Sequence, residues 1–283
     1  MTNNKFVPRF QKWLNKGKFA LRKLSANSRY LPSFIIAGAQ KTGTTSLHYY
    51  LSQHPELVTA NVKEVHFFDG GTQETDCYLN GVDWYKAHFP LVRQGLMAFE
   101  ASPRYMFIPF VPQRIYSLLP TVKLIFLLRN PTERAISHYF HNCSTGFEKL
   151  PVWDALHLEE QRLAPSIATK AYRSVEFRRY SYKSRGLYAQ QLELFYNLFS
   201  PSQILLLSSE QFFKDPLSTL KEVYDFIGVD SRQTVKNLSA RNISENRTKV
   251  DSKIYDYLNE YFYDANVLLS NQYDNQFIQA WIK

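Results

Sequence analysis

The run Ser33–Leu51, SFIIAGAQKTGTTSLHYYL, decides how the chain is read. Phe34, Ile35 and Ile36 form an apolar, β-favouring run. Gly38 and Gly43 bracket a short polar stretch, and Thr44, Thr45 and Ser46 precede Leu47, Tyr50 and Leu51 at helical spacing. The pattern predicts a buried strand, a glycine turn and a helix. Such a turn is an anion cradle, because backbone N–H groups converge there and the helix dipole favours negative charge. Lys41 and the three hydroxyls add to it. A nucleoside-triphosphate loop, G-x-x-x-x-G-K-[ST], carries its lysine directly after the second glycine. Here that position is Thr44, and the lysine sits two residues before the glycine, at Lys41. The stretch alone leaves the anion open, and an ordinary βα turn holding Lys and Thr is the plain alternative.

Working outward, apolar runs alternate with helical patterns. Strands are expected at Leu57–Ala60, Ala98–Ala101, Lys123–Leu128 and Gln203–Leu207. Helices are expected at Pro109–Leu119, Pro131–His141, Pro151–Leu163, Leu187–Phe199, Leu217–Ile227 (closed by Gly228) and Lys253–Leu269. Residues 61–68 read as extended or turn-like, and 230–250 as a loop. Residues 164–185, rich in Arg, Lys and Tyr, read as a loop or surface insertion. The alternation argues for a three-layer α/β fold with a central parallel sheet. No repeat or linker follows residue 30, so one domain over 31–283 after a basic arm, 1–30, is the economical division.

The charge is uneven. Residues 1–30 hold eight Lys/Arg and no Asp or Glu, whereas the other 253 residues hold 26 Lys/Arg against 25 Asp/Glu. The basic balance belongs to the arm, so no nucleic-acid partner is expected for the core. Phe10, Trp13, Leu14, Leu21 and Leu24 fall near helical spacing in the arm. This leaves two readings: an amphipathic helix in peripheral contact with an anionic membrane, or a basic extension packed loosely on the domain. No apolar run has the length of a membrane span, and no signal-type apolar core follows the basic residues. Two cysteines give neither metal spacing nor a disulfide framework. A cytoplasmic location is the expectation, in which the sequons at Asn237 and Asn246 would go unused.

In an open parallel sheet, ligands gather at the carboxyl ends of the strands. There Lys123–Leu128 delivers Arg129 where an ATPase would place a magnesium carboxylate. Arg129, the helix begun at Pro131, and Ser137 form a second anion site. A nearby carboxylate paired with Arg129 is the alternative. Glu64 is a candidate base, and His66, two residues on, is its competitor, with the better unperturbed pKa near neutrality. His66 is equally readable as a packing residue before Phe67 and Phe68.

These residues also carry a likeness. AGAQKTGTTSL (37–47), KEVHFF (63–68), GVDWYKAHFP (81–90), LIFLLRNPTERAISHY (124–139) and RGLYAQQLELF (185–195) together resemble the sulfotransferases that use 3′-phosphoadenosine 5′-phosphosulfate (PAPS). The likeness runs from about Pro32 to Gly228 and is strongest to the domains that sulfate heparan sulfate. It implies a P-loop-NTPase-like sulfotransferase core that uses PAPS and no metal. It also implies a 5′-phosphosulfate loop of Lys41, Thr42, Gly43, Thr44 and Thr45, and 3′-phosphate contacts at Arg129 and Ser137. Glu64 matches the catalytic glutamate and Tyr188 an adenine contact, and Arg247 and Lys249 stand where a basic 3′-phosphate loop is expected. The acceptor would be a saccharide or glycolipid.

Two departures stand out. Glu100-Ala101-Ser102-Pro103 replaces the Glu-Lys-Thr-Pro of the heparan-type domains, leaving Lys63, Arg104 or a basic residue of 164–185 to substitute for the lysine. The late cysteine pair is missing. The basic, aromatic 164–185 segment fits an anionic acceptor, a nucleic acid or a solvated loop. The rivals from other classes are an ATP-dependent kinase or nucleotidase and a non-catalytic polyanion-binding module.

Overall fold

In the computed structural model, which describes residues 9–239, 250–273 and 276–282, Phe34–Gly38 forms the central strand of a five-stranded sheet. In chain order the elements are α1 (Arg9–Leu24), β1 (Phe34–Gly38), α2 (Thr44–Leu51), β2 (Leu57–Thr59), α3 (Val82–Lys86), β3 (Met97–Ala101), α4 (Val111–Leu118), β4 (Lys123–Leu128), α5 (Pro131–Ser144), α6 (Val152–His157), α7 (Glu159–Ala168), α8 (Val175–Arg179), α9 (Tyr188–Tyr196), β5 (Ile204–Ser208), α10 (Ser209–Lys214), α11 (Pro216–Ile227), α12 (Ser252–Gln272) and α13 (Gln276–Gln279).

The sheet order is β2-β3-β1-β4-β5, and every pairing is parallel. Helices cover both faces, so the inner strands bury alternate residues on opposite sides and read as unbroken apolar runs. Ile35, Phe126 and Leu128 face one side with Phe89, Tyr105 and Phe195. Phe34, Ile36, Ile125 and Leu127 face the other with Leu47, Leu51 and Val223. Phe34 and Phe99 are register partners, and their rings stack at 4.8 Å. The chain leaves β1 toward the β2 edge, returns through β3 and crosses to β4. The carboxyl ends of β1, β3 and β4 therefore meet where the winding reverses, the crevice such sheets use for ligands.

The three-layer α/β architecture stands as expected, with three differences. Pro151–Leu163 is not one helix: α6 ends at His157, Leu158 forms the break, and α7 runs on through Pro165 to Ala168. Residues 164–185 are not a surface loop. They contain α8, and Phe177, Tyr182, Lys183 and Arg185 are buried. Their polar look misleads because guanidinium groups lie on rings: Arg185 on Phe107 at 4.3 Å, Arg179 on Phe147 at 3.7 Å and Arg162 on Tyr180 at 3.3 Å. Helices α3 and α10 had no signal, being too short to show a period.

The arm is helical over α1, and Phe19 packs on Trp84 and His88 at centroid distances of 5.9 and 4.8 Å. Among the described residues no helix is long and apolar enough to cross a membrane.

Candidate active site

After β1 the backbone turns sharply. Lys41 has φ 73° and Gly43 φ 104°, both in the left-handed region. Gly43 is favoured there by its φ, and a Cβ would also lie 2.7 Å from Cζ of Phe213, so that ring would have to move. The Thr42 hydroxyl donates to the Ala39 carbonyl at 2.8 Å, and the Ser209 hydroxyl donates to the Thr42 carbonyl at 2.6 Å. The turn is thus pinned to α10, and its amides lead into the N-terminus of α2. Burial lowers the Lys41 pKa, and the charges of Arg129 and Arg134 lower it further. This crowding of cations marks a place built for an anion.

The next strand end supplies Arg129. Its Nη2 donates to Oε2 of Glu133 at 2.9 Å, so the carboxylate partner does exist, one helical turn along α5. Asn130 caps α5, accepting from the Glu133 amide at 3.2 Å. Glu133, Ser137 and His141 share one face of α5 and, with Arg129 just before the helix, one wall of the cavity. Burial, then the charges of Lys41 and Arg179, lower His141 to about 4, so it is neutral at physiological pH.

The segment 61–68 is not extended at its chemical residues. Glu64 and His66 have φ 63° and 56°. Their side chains still meet, with His66 Nε2 3.3 Å from Glu64 Oε2, but through two left-handed residues rather than strand alternation. Lys63 Nζ donates to Glu64 Oε1 at 2.7 Å. His66 Nδ1 lies 2.8 Å from Asp69 Oδ2, to which Arg104 Nε donates at 2.7 Å. The charges alternate from Arg104 through Asp69, His66 and Glu64 to Lys63. Burial would raise Glu64, yet hydrogen bonds and charge from His66 and Lys63 outweigh it and hold the carboxyl down at about 2. Burial would lower His66, yet hydrogen bonds to Asp69 and Glu64 raise it to about 9. At neutral pH Glu64 is a carboxylate and His66 an imidazolium. An imidazolium has no lone pair with which to accept a proton, which favours Glu64 over His66 as the candidate base.

One cavity of about 880 Å³ lies at the carboxyl ends of the strands. Lys41, Thr42, Gly43, Thr44 and Thr45 form one side, Arg129 and Ser137 the second, and Glu64 and His66 the third. Tyr188 is not on the wall. It is buried, and its hydroxyl donates to the Arg129 carbonyl at 2.9 Å, holding the strand end from behind. The ring exposed at the wall is Phe213, which no sequence pattern singled out. Arg247 and Lys249 lie outside the described residues. Asp69 was also missed, although its spacing from His66 and the Gly70-Gly71 turn after it were visible signals. Arg104, Arg178 and Arg179 reach the cavity from sequence positions considered as substitutes for the missing lysine.

Residues 31–264 match the model of the sulfotransferase domain family. Over 209 residues, 74% of this chain, the sequence is 34% identical to human heparan sulfate glucosamine 3-O-sulfotransferase 6. Over 206 residues, 70% of this chain, it is 31% identical to bovine bifunctional heparan sulfate N-deacetylase/N-sulfotransferase 2. The chain spans only part of these relatives, 56% of the first and 22% of the second. A sulfotransferase from Alicyclobacillus acidocaldarius superposes with TM-score 0.75 at 29% identity, covering 90% of this chain and all of that one. Mouse sulfotransferase SULT7A1 complexed with PAP shares the fold at TM-score 0.55 and 13% identity. The cytoplasmic expectation does not survive these matches. The heparan sulfate enzymes are Golgi lumenal, and the absence of a signal-type run was a weak guide. With the domain match running over residues 31–264 and the fold shared with a solved sulfotransferase, the chain belongs to the sulfotransferase domain family.

Proposed function

We propose that this chain transfers a sulfuryl group from PAPS to a hydroxyl of a saccharide, with Glu64 as general base. The observation that carries the reading is the meeting of an ionised Glu64, the Lys41 loop and the Arg129–Ser137 pair in one cavity. The relatives' names support a saccharide acceptor.

The acceptor oxygen attacks sulfur, the bond from sulfur to the bridging phosphate oxygen breaks, and the acceptor proton passes to Glu64. The products are a sulfate ester and adenosine 3′,5′-bisphosphate. Lys41 and the loop amides meet the charge that grows on the departing phosphate. Arg129 and Ser137 hold the 3′-phosphate, and Phe213 offers its exposed ring to the purine. A carboxylate held near 2 takes the proton late, once bond formation to sulfur has acidified the hydroxyl.

Adenosine 3′,5′-bisphosphate at 100 times its Kd is expected to raise the Tm by about 5–10 °C, which corresponds to about 2.7 kcal/mol of linkage. Arg129→Ala should lose most of that shift in a thermal-shift assay. An equal shift from ATP, or a shift that persists in Arg129→Ala, would count against the donor site.

Arg178 and Arg179 stand on the acceptor side, and neither is ion-paired with a carboxylate among the described residues. They are placed to read an anionic group on the saccharide. Arg178→Ala or Arg179→Ala should raise the KM for an anionic acceptor by about 10-fold or more, as expected of a charge-assisted hydrogen bond, with kcat nearly unchanged. A neutral saccharide should show no such difference.

A further inference from the structure

Beneath the Glu64–His66 segment lies a buried carboxylate with no ion-pair partner among the described residues. Glu100, on β3, is 1% exposed. It accepts from three hydroxyls: Tyr85 at 2.6 Å, Ser102 at 3.0 Å and Tyr105 at 3.2 Å. Two of those hydroxyls also face the segment above. Tyr105 Oη accepts from the Phe67 amide at 3.0 Å and the Phe68 amide at 3.4 Å, and Ser102 Oγ takes a longer contact, 3.5 Å, from the His66 amide. The Glu64 amide donates to the Ala101 carbonyl at 3.1 Å. The 100–105 turn therefore anchors the backbone on both sides of the two left-handed residues.

The direction of these bonds is chemically specific. A hydroxyl has one proton, and an ionised carboxylate can only accept. With Glu100 ionised, Ser102 and Tyr105 must point their protons down and their lone pairs up, toward the amides of 66–68. A left-handed conformation at Glu64 and His66 persists only where the surroundings fix it.

We propose that Glu100 is a positioning residue for Glu64 and His66. Its carboxylate orients the Ser102 and Tyr105 hydroxyls that hold the segment between them. A protonated Glu100 must itself donate to one of its hydroxyl neighbours, and where that neighbour is Ser102 or Tyr105 the hydroxyl's own proton must turn away from Glu100, toward the amides it accepts from. Burial pushes Glu100 up to about 7 against the hydrogen bonds from Tyr85, Ser102 and Tyr105 and the charge of His66. Tyr85 and Tyr105 are themselves pushed well up by burial, so they remain protonated donors throughout. Asp69, hydrogen-bonded to His66 and Arg104, stays ionised. An acid limb near pH 7 thus belongs to Glu100, since Glu64 and His66 titrate far to either side.

The inference rests on the sulfuryl-transfer reading for its kinetics but not for its structural test. In Tyr105→Phe, which keeps the ring and removes only the hydroxyl, amide exchange in a peptide covering 64–68 should speed up by about tenfold or more. Glu100→Gln should do the same. Both variants should retain the thermal shift from adenosine 3′,5′-bisphosphate. In both, kcat should fall by roughly 10²-fold with KM nearly unchanged, as for a misplaced catalytic group. Glu100→Gln should also lose the acid limb near pH 7. Unchanged exchange in Tyr105→Phe, or an acid limb intact in Glu100→Gln, overturns the proposal. If Glu100→Gln does not fold, Tyr105→Phe decides it alone. A wild-type chain that transfers no sulfuryl group would overturn the functional reading while the exchange result still decides this one.

Discussion

Glu64→Gln is expected to lower kcat by about 10²–10⁴-fold, the range for loss of a general base, with the KM for PAPS little changed. The amide keeps the size of the side chain but cannot take the acceptor proton. The substitution also removes the anion that His66 leans on. His66 is held at about 9 partly by Glu64, so the alkaline limb of the remaining activity should move downward. In the wild type that limb is expected near pH 9, where the imidazolium loses its proton. The stability linkage has the same sign: the folded pKa lies above the ordinary 6.5, so the contribution is fully present below about 6.5 and is lost as pH rises through about 9. For Glu64 the folded value lies below the ordinary 4.5, so its contribution is present above about 4.5 and is lost as pH falls toward 2. Steady-state kinetics and a Tm-against-pH series check both. A Glu64→Gln enzyme with near-normal kcat, beside an inactive His66→Asn, would reverse the assignment.

Lys41→Gly should be at least as stable as the wild type, yet lose kcat by about 10²–10³-fold, the range for loss of one preorganised electrostatic contact. The stability side follows from φ 73°, which glycine adopts freely and lysine does not. The activity side follows from the proposed mechanism, in which the charge of Lys41, beside those of Arg129 and Glu64, meets the leaving phosphate. Lys41→Ala should show the same kinetic loss without the stabilisation. A melting curve together with kcat separates the two effects. Equal activity in Lys41→Gly and wild type would remove Lys41 from the mechanism.

The strain at Lys41 belongs with that at Glu64 and His66. Three residues bearing the proposed chemistry sit in a backbone region where side chains cost about 1–3 kcal/mol. Neighbours fix each of them: Ser209 and Phe213 beside the loop, and Ser102 and Tyr105 beneath the second segment. The packing of the sheet ends, rather than local preference, holds the site in shape.

The sequence by itself determined the parallel sheet, because buried parallel strands must be apolar on both faces, and FIIAG, KLIFLL and ILLLS are. It determined the anion loop as well, since glycine at Gly43 and a helix start at Thr44 are local requirements. The rule for strand ends placed the Lys41 loop beside Arg129 and Ser137, and Glu64 joined them through the family resemblance. Where the sequence misled, the cause was non-local. The 164–185 segment read as surface because its guanidinium groups were counted as solvated, and only packing showed them lying on rings. Tyr188 looked like a base contact until the fold buried it behind Arg129. The choice between Glu64 and His66 stayed open on the residues alone, with the family resemblance favouring Glu64. It depends on Asp69 and Lys63 setting two protonation states across a few ångströms, and a pKa is a property of surroundings that only the tertiary structure assembles.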